Sequence, residues 1–94
     1  MYNILLLDGA IADIRDAHDW YEERQQGLGK RFQKTVFSKL DLIQQNPLLY
    51  QVRFSEVFRF AKTDIFPFLI VFEIVDQSII VNAVFHTSRN PNAF

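Results

Sequence analysis

The chain has 94 residues, with ten Lys and Arg against eleven Asp and Glu, no Cys, and 49% hydrophobic and 15% aromatic residues. That length holds one domain, 1–94, with one modest core, and the apolar content argues against disorder. A net charge of −1 lacks the basic excess of a protein built to grip a polyanion, and the absence of Cys excludes disulfides, thiolate chemistry and Cys-ligated zinc.

Met1-Tyr2-Asn3-Ile4 lacks the basic start of a signal peptide, and no apolar run approaches the roughly 18 residues that cross a bilayer, so a cytoplasmic protein without a membrane partner is expected. Residues 2–7 form a short apolar run that reads as a strand, ended by Asp8-Gly9, with Asp8 placed to cap the helix that follows. From Ala10 to about Gln26 the pattern is helical. Ile11, Ile14, His18 and Tyr21 step by three and four onto one face, while Asp13, Asp16, Asp19, Glu22 and Glu23 lie largely away from it. Such an acidic row is ordinarily a solvated face; the alternative is a docking surface for a basic partner.

Gly27-Leu28-Gly29 permits a reversal into a second helix over about 29–45. Its stripe is Phe32, Val36, Leu40 and Ile43, widened by Phe37 and Leu42. Lys30, Arg31, Lys34 and Lys39 make this helix basic where the first is acidic, which suggests charge pairing at the rim of an antiparallel helical hairpin. Asn46-Pro47 ends it. Residues 57–61 alternate as a strand, with Phe58, Phe60 and Lys62 on one side and Val57, Arg59 and Ala61 on the other.

The centre of the sequence is 66–86, FPFLIVFEIVDQSIIVNAVFH. Two runs rich in Val, Ile and Phe, 68–75 and 78–85, flank the polar Asp76-Gln77 and read as an antiparallel hairpin. Both runs are apolar at nearly every position, so both faces should be covered, one by helices and part of the other by a partner. The expected fold class is α+β, in the order β-α-α-β-β-β: two layers, a helical hairpin packed on a mostly antiparallel four-stranded sheet.

Familiar catalytic signatures are missing, and no cofactor is implied. The two histidines, His18 and His86, are too few and too far apart in sequence to suggest a metal site. His18 reads as a hydrogen-bonded boundary residue. His86 ends the last core strand, with Arg89 three residues on and Arg59 on a neighbouring strand. Imidazole moves protons near neutral pH and guanidinium clamps phosphate, so the three form a reasonable toolkit for phosphodiester cleavage. The bland reading has Arg89 paired with an acid such as Glu73 and His86 closing the sheet edge.

Several segments together resemble the ParE/RelE superfamily, the toxin subunits of bacterial toxin–antitoxin, or plasmid stabilisation, modules. They are Ala12-Asp13-Ile14 and Tyr21, Pro47 after the second helix, Arg59, the run 65–72 (IFPFLIVF), and 81–91 (VNAVFHTSRNP). The resemblance implies the fold derived above and a cognate antitoxin whose C-terminal segment wraps the toxin. It offers two activities: ribosome-dependent mRNA cleavage in RelE-like members, and growth inhibition through DNA gyrase in ParE-like members. For cleavage the matching residues would be Arg59, His86 and Arg89, with the ribosome and its mRNA as partners. The chain departs from that pattern. It is mildly acidic, its tail ends in Phe94 without a nearby Tyr, and only Lys62 stands where cleaving members are Lys-rich. The ParE-like reading is therefore favoured, without direct DNA binding by the toxin; a peptide-binding module of the same fold is a further alternative. Apolar crowding in the sheet also suggests a homodimer when no antitoxin is present.

Overall fold

A computed structural model describes residues 2–53 and 56–88. Strand β1 (Asn3–Leu6) leads into helices α1 (Asp8–Arg24) and α2 (Leu28–Gln45). A single 3-10 turn (Pro47–Leu49) follows, then β2 (Arg59–Lys62), β3 (Phe68–Val75) and β4 (Ser78–His86). The sheet order is β1-β4-β3-β2, with β1–β4 parallel and the other two pairings antiparallel. This is the expected α+β arrangement.

The hairpin falls where its polar punctuation placed it, with Val75 opposite Ser78 and Asp76 in the left-handed region at φ 55°, a conformation Asp tolerates. A register shift in the β3–β4 ladder takes the pairing from Val71↔Ala83 to Phe72↔Val81, leaving Asn82 as an extra residue. Because of this bulge Val84, Val81 and Ile79 all join the core beneath the helices. Facing them are Ala10, Ile14, Ala17 and Tyr21 of α1 and Phe32, Val36, Leu40 and Ile43 of α2.

The α2 stripe is the expected one, but Phe37 and Leu42 lie outside it and are exposed. On α1 the buried face is rotated from expectation. Ile11 is 48% exposed, and Ala10 and Ala17 take the inner positions because their small side chains let the helix approach the sheet. Asp8 is the first helical residue, not the cap; Leu7 holds that place, without a side-chain cap bond, and its carbonyl accepts from Ile11 N at 3.0 Å. Asp8 still lies in the first turn, where a negative charge suits the helix dipole.

The helical hairpin is joined differently from the charge pairing expected. No ion pair connects α1 to α2 among the described residues; the pairs formed are His18–Asp19 and Lys39–Asp64. Instead the Glu22 carboxylate accepts from Gly27 N at 2.8 Å and Gly29 N at 3.0 Å, satisfying free donors where the second helix begins. The Gly27 bond, followed by that of Gly29, outweighs desolvation and holds the Glu22 pKa below its ordinary 4.5. A carboxylate with a lowered folded pKa stabilises the fold above its unfolded pKa, and that contribution is lost as pH falls through the folded value. Glu22→Gln should therefore flatten the acid limb: the denaturant midpoint of the variant should fall less between about pH 6 and pH 3 than that of the parent.

Between β2 and β3, Phe66 N donates to Asp64 O at 2.7 Å around Ile65, whose φ is 70° and whose side chain is 80% exposed. A β-branched residue is strained in that conformation, and nothing apolar is gained at this degree of exposure. Thr63 fixes the turn, its hydroxyl donating to Phe66 O at 2.6 Å. Ile65→Gly should raise unfolding stability by about 1 kcal/mol in denaturant titration.

Candidate functional site

Strand parity and register decide which face each sequence-chosen residue occupies. Arg59 pairs with Phe72, and His86 with Phe68, positions of β3 that both point into the helix-covered layer. Four residues of strand and two strand spacings separate them, about 16 Å between Cα atoms. Arg59 is half-buried, and its Nη1 donates to Tyr50 O at 2.6 Å. Tyr50 in turn lays its ring edge-on to Phe72 at 5.9 Å, so Arg59 ties the segment after α2 down over the core.

His86 sits at the opposite margin, its ring against Phe68 at 5.2 Å. Its Nδ1 accepts from Ser88 N at 3.0 Å, which leaves the proton of the neutral ring on Nε2. Arg89 lies outside the described residues. Glu73, its suggested partner, accepts from Asn82 Nδ2 at 3.1 Å. Arg59 and His86 are thus not brought together, and His18 lies apart from both, bonded to Asp19. Among the described residues no three His, Cys, Asp or Glu gather to hold a metal ion.

The sheet's other face was expected to be a greasy surface awaiting a partner. Its centre is already closed: Phe60 and Val71, register partners outside the main core, are buried, Val71 fully. Leu69, Ile80, Ala83 and Phe85 around them are half-buried, with Lys62 and Glu73 as the charges among them. That face still exposes Leu5 and Val75 at its edges, and further apolar side chains are exposed on the helical side. Ile11 of α1 and Phe37 of α2, each 48% exposed, flank a groove of about 290 Å³ floored by Leu6 and Ile14 and edged by Arg15 and Gln33. Sequence reading folded Ile11 and Phe37 into the core stripes; the available signal was that each helix carried more large apolar residues than one stripe holds.

A link that sequence inspection missed fastens α1 to the sheet. Asp13 Oδ2 accepts from Val84 N at 2.9 Å, on the stretch of β4 beyond Val81, where the pairing with β1 has ended. Partial burial raises the Asp13 pKa from 3.8 despite this bond, and repulsion from Asp16 adds to the rise.

Comparison with known proteins gives this geometry its context. The family described as the ParE toxin of the type II toxin-antitoxin system, parDE, matches residues 4–91. The chain belongs to the ParE toxin family. No curated protein matches it. Among solved structures, a chain of the chromosomal ParDE TA system from P. aeruginosa superposes with a TM-score of 0.74 at 21% identity, covering 92% of this chain and 96% of that one. A chain of the intact E. coli RelBE toxin-antitoxin complex superposes at 0.72 with 16% identity, covering 95% and 100%. These two similarities establish a shared fold. The ParE assignment makes the chain a toxin of the type II toxin-antitoxin class. Among its described residues no helix is long and apolar enough to cross a membrane.

Proposed function

We propose that this ParE-family toxin arrests growth by protein–protein contact with DNA gyrase and is neutralised by a cognate antitoxin that covers the groove between α1 and α2. The observation that carries the reading is the placement of Arg59 and His86 about 16 Å apart, with Arg59 committed to the Tyr50 carbonyl, which leaves the cleavage toolkit unassembled among the described residues. Mild acidity points the same way, since a ribosome-directed nuclease meets a dense polyanion. Expression without antitoxin should arrest growth with DNA-damage signalling while cellular mRNA stays whole, and the purified protein should inhibit supercoiling by gyrase. Undiminished supercoiling at saturating protein would refute the gyrase target. Codon-phased mRNA cleavage that His86→Ala and Arg89→Ala abolish would instead establish the RelE-like activity.

The groove supplies the antitoxin's footing: exposed Ile11 and Phe37 present an apolar strip of the width an amphipathic segment fills. Phe37→Asp places a charge on that strip without disturbing the core. It should weaken antitoxin binding roughly 30-fold or more, measured by calorimetry, with the unfolding midpoint little changed.

A further inference from the structure

The two edges of the sheet are finished differently. Along β2 the segment 51–53 lies against the outer side: Val52 bridges to Arg59, Arg53 N donates to Phe58 O at 3.1 Å, and Phe60 N donates to Gln51 O at 3.4 Å. Arg59 and Lys62 add charge to that strand, so cover and charge together discourage a further strand there. β1 forms the other edge. Its residues, Asn3-Ile4-Leu5-Leu6, include no charge and no Pro, and among the described residues it pairs with β4 alone.

The β1–β4 ladder shows which backbone groups remain open. Asn3 N donates to Gln77 O at 2.8 Å and Leu7 N to Val81 O at 3.0 Å, so the odd-numbered residues of β1 turn their polar groups toward β4. The N–H and C=O of Ile4 and Leu6 therefore point outward, and no hydrogen bond from the rest of the described chain reaches them. The opening is bounded at both ends. Tyr2 O is taken by Gln44 Nε2 at 2.8 Å, and after Leu6 the chain turns into α1. Side chains follow the same parity. Ile4 and Leu6 lie opposite buried Ile79 and Val81 under the helices, while Leu5, 55% exposed, lies opposite Ile80 on the other face.

We propose that β1 pairs antiparallel with β1 of a second copy of this chain, joining two four-stranded sheets into one. The spacing of the open groups selects this occupant. A two-fold axis at Leu5 sets Ile4 against Leu6 of the second copy and Leu6 against its Ile4, so every open group on both strands closes in two hydrogen-bonded pairs. Moving the register by two residues one way matches Leu6 with Tyr2, whose carbonyl Gln44 already holds; the other way matches Ile4 with helical Asp8. At the axis Leu5 meets its own counterpart in a non-hydrogen-bonded position, about 4.5 Å between Cα atoms, where side chains touch. Ile80 and Leu5 of one copy then continue into Leu5 and Ile80 of the other as one apolar row. Self-pairing sets each residue type against a copy of this same strand, and a strand without charge brings no like charges together. So short a ladder buries well under the roughly 800 Å² per partner of a stable complex, which makes the dimer a weak one, with a dissociation constant on the order of 100 µM. The proposal rests on the edge itself and is independent of the gyrase reading.

The test is sedimentation equilibrium of the purified full chain, without antitoxin, up to about 1 mM, together with amide hydrogen exchange. Dimers are expected, with the Ile4 and Leu6 amides gaining protection as concentration rises. Leu5→Lys sets two ammonium groups at the axis and should weaken association at least about tenfold, with the unfolding midpoint little changed. The chain has no Cys, so Leu5→Cys supplies a single thiol and should give a disulfide-linked dimer under oxidised glutathione, whereas Asn3→Cys, which faces Leu7 of the second copy, should not. A chain that stays monomeric throughout, or a dimer that Leu5→Lys leaves intact, would overturn the proposal. So would association that Phe37→Asp abolishes and Leu5→Lys does not, which would assign the contact to the α1–α2 groove. Protection of Ile4 and Leu6 that arises only on adding antitoxin would overturn it as well, giving the edge to that partner.

Discussion

Phe32→Ala should remove about 4 kcal/mol of unfolding stability, the cost of deleting a buried phenylalanine that its surroundings cannot collapse to replace. Phe32 is fully buried on the inner face of α2 and meets rings from α1, the β2–β3 connection and β3: Tyr21 at 5.4 Å, Phe66 at 5.5 Å and Phe68 at 4.8 Å. The edge-to-face geometry with Phe66 adds to what area burial alone supplies. A domain of this size is stable by about 5–14 kcal/mol in total, so the loss would take a large share of it and lower the melting temperature by on the order of 20 °C. Calorimetry checks this directly, with Phe32→Leu as the volume-sparing control that should cost far less. A loss under about 1.5 kcal/mol for the alanine variant would show that the aromatic cluster is not the centre of the core.

The second large effect is expected at Gly29, where α2 lies directly against α1. A Cβ built there would stand 2.5 Å from the backbone oxygen of His18, 2.8 Å from its ring and 3.0 Å from the Glu22 carboxylate. A backbone oxygen cannot swing aside, so the helices must part, and the Glu22 bond to Gly29 N is disturbed with them. Gly29→Ala should cost about 2 kcal/mol even after the gain in helix propensity, and Gly29→Val more, read as the shift in denaturant midpoint. Gly27→Ala is the discriminating control. Its site has open space but a φ of 87°, so its cost of about 1 kcal/mol arises from backbone conformation alone.

How far these features were legible in the sequence varies by element. The central hairpin was readable to within one residue of its observed ends, because Asp76-Gln77 is the polar break in two long β-branched runs. The α2 stripe was readable for the same kind of reason, since Phe32, Val36, Leu40 and Ile43 repeat at helical spacing. The rotation of α1 was not. Large Ile11 outweighs small Ala10 and Ala17 on any hydrophobicity scale, yet the close packing of helix on sheet prefers the alanines, and that preference exists only once the partner surface does.

The site was harder still. Arg59 and His86 fall at suggestive places in the chain, but their separation depends on strand register, and the register depends on a bulge at Asn82 with no Gly or Pro to announce it. Asp13 looked like one more member of a solvated acidic row. Its bond to Val84 N spans 71 positions of sequence, and no local pattern encodes such a partnership.

The parallel pairing of β1 has a consequence for how the toxin is made. β1 finds its neighbour in β4, so the β1 edge of the sheet waits until β4 has left the ribosome. Asp13 waits with it, since its donor belongs to the same late strand. A nascent chain halted before β4 can form the helical hairpin but lacks Ile79, Val81 and Val84 from the surface beneath it. Translation thus sets the order of assembly: β1 and Asp13 stay without their partner until β4 is delivered.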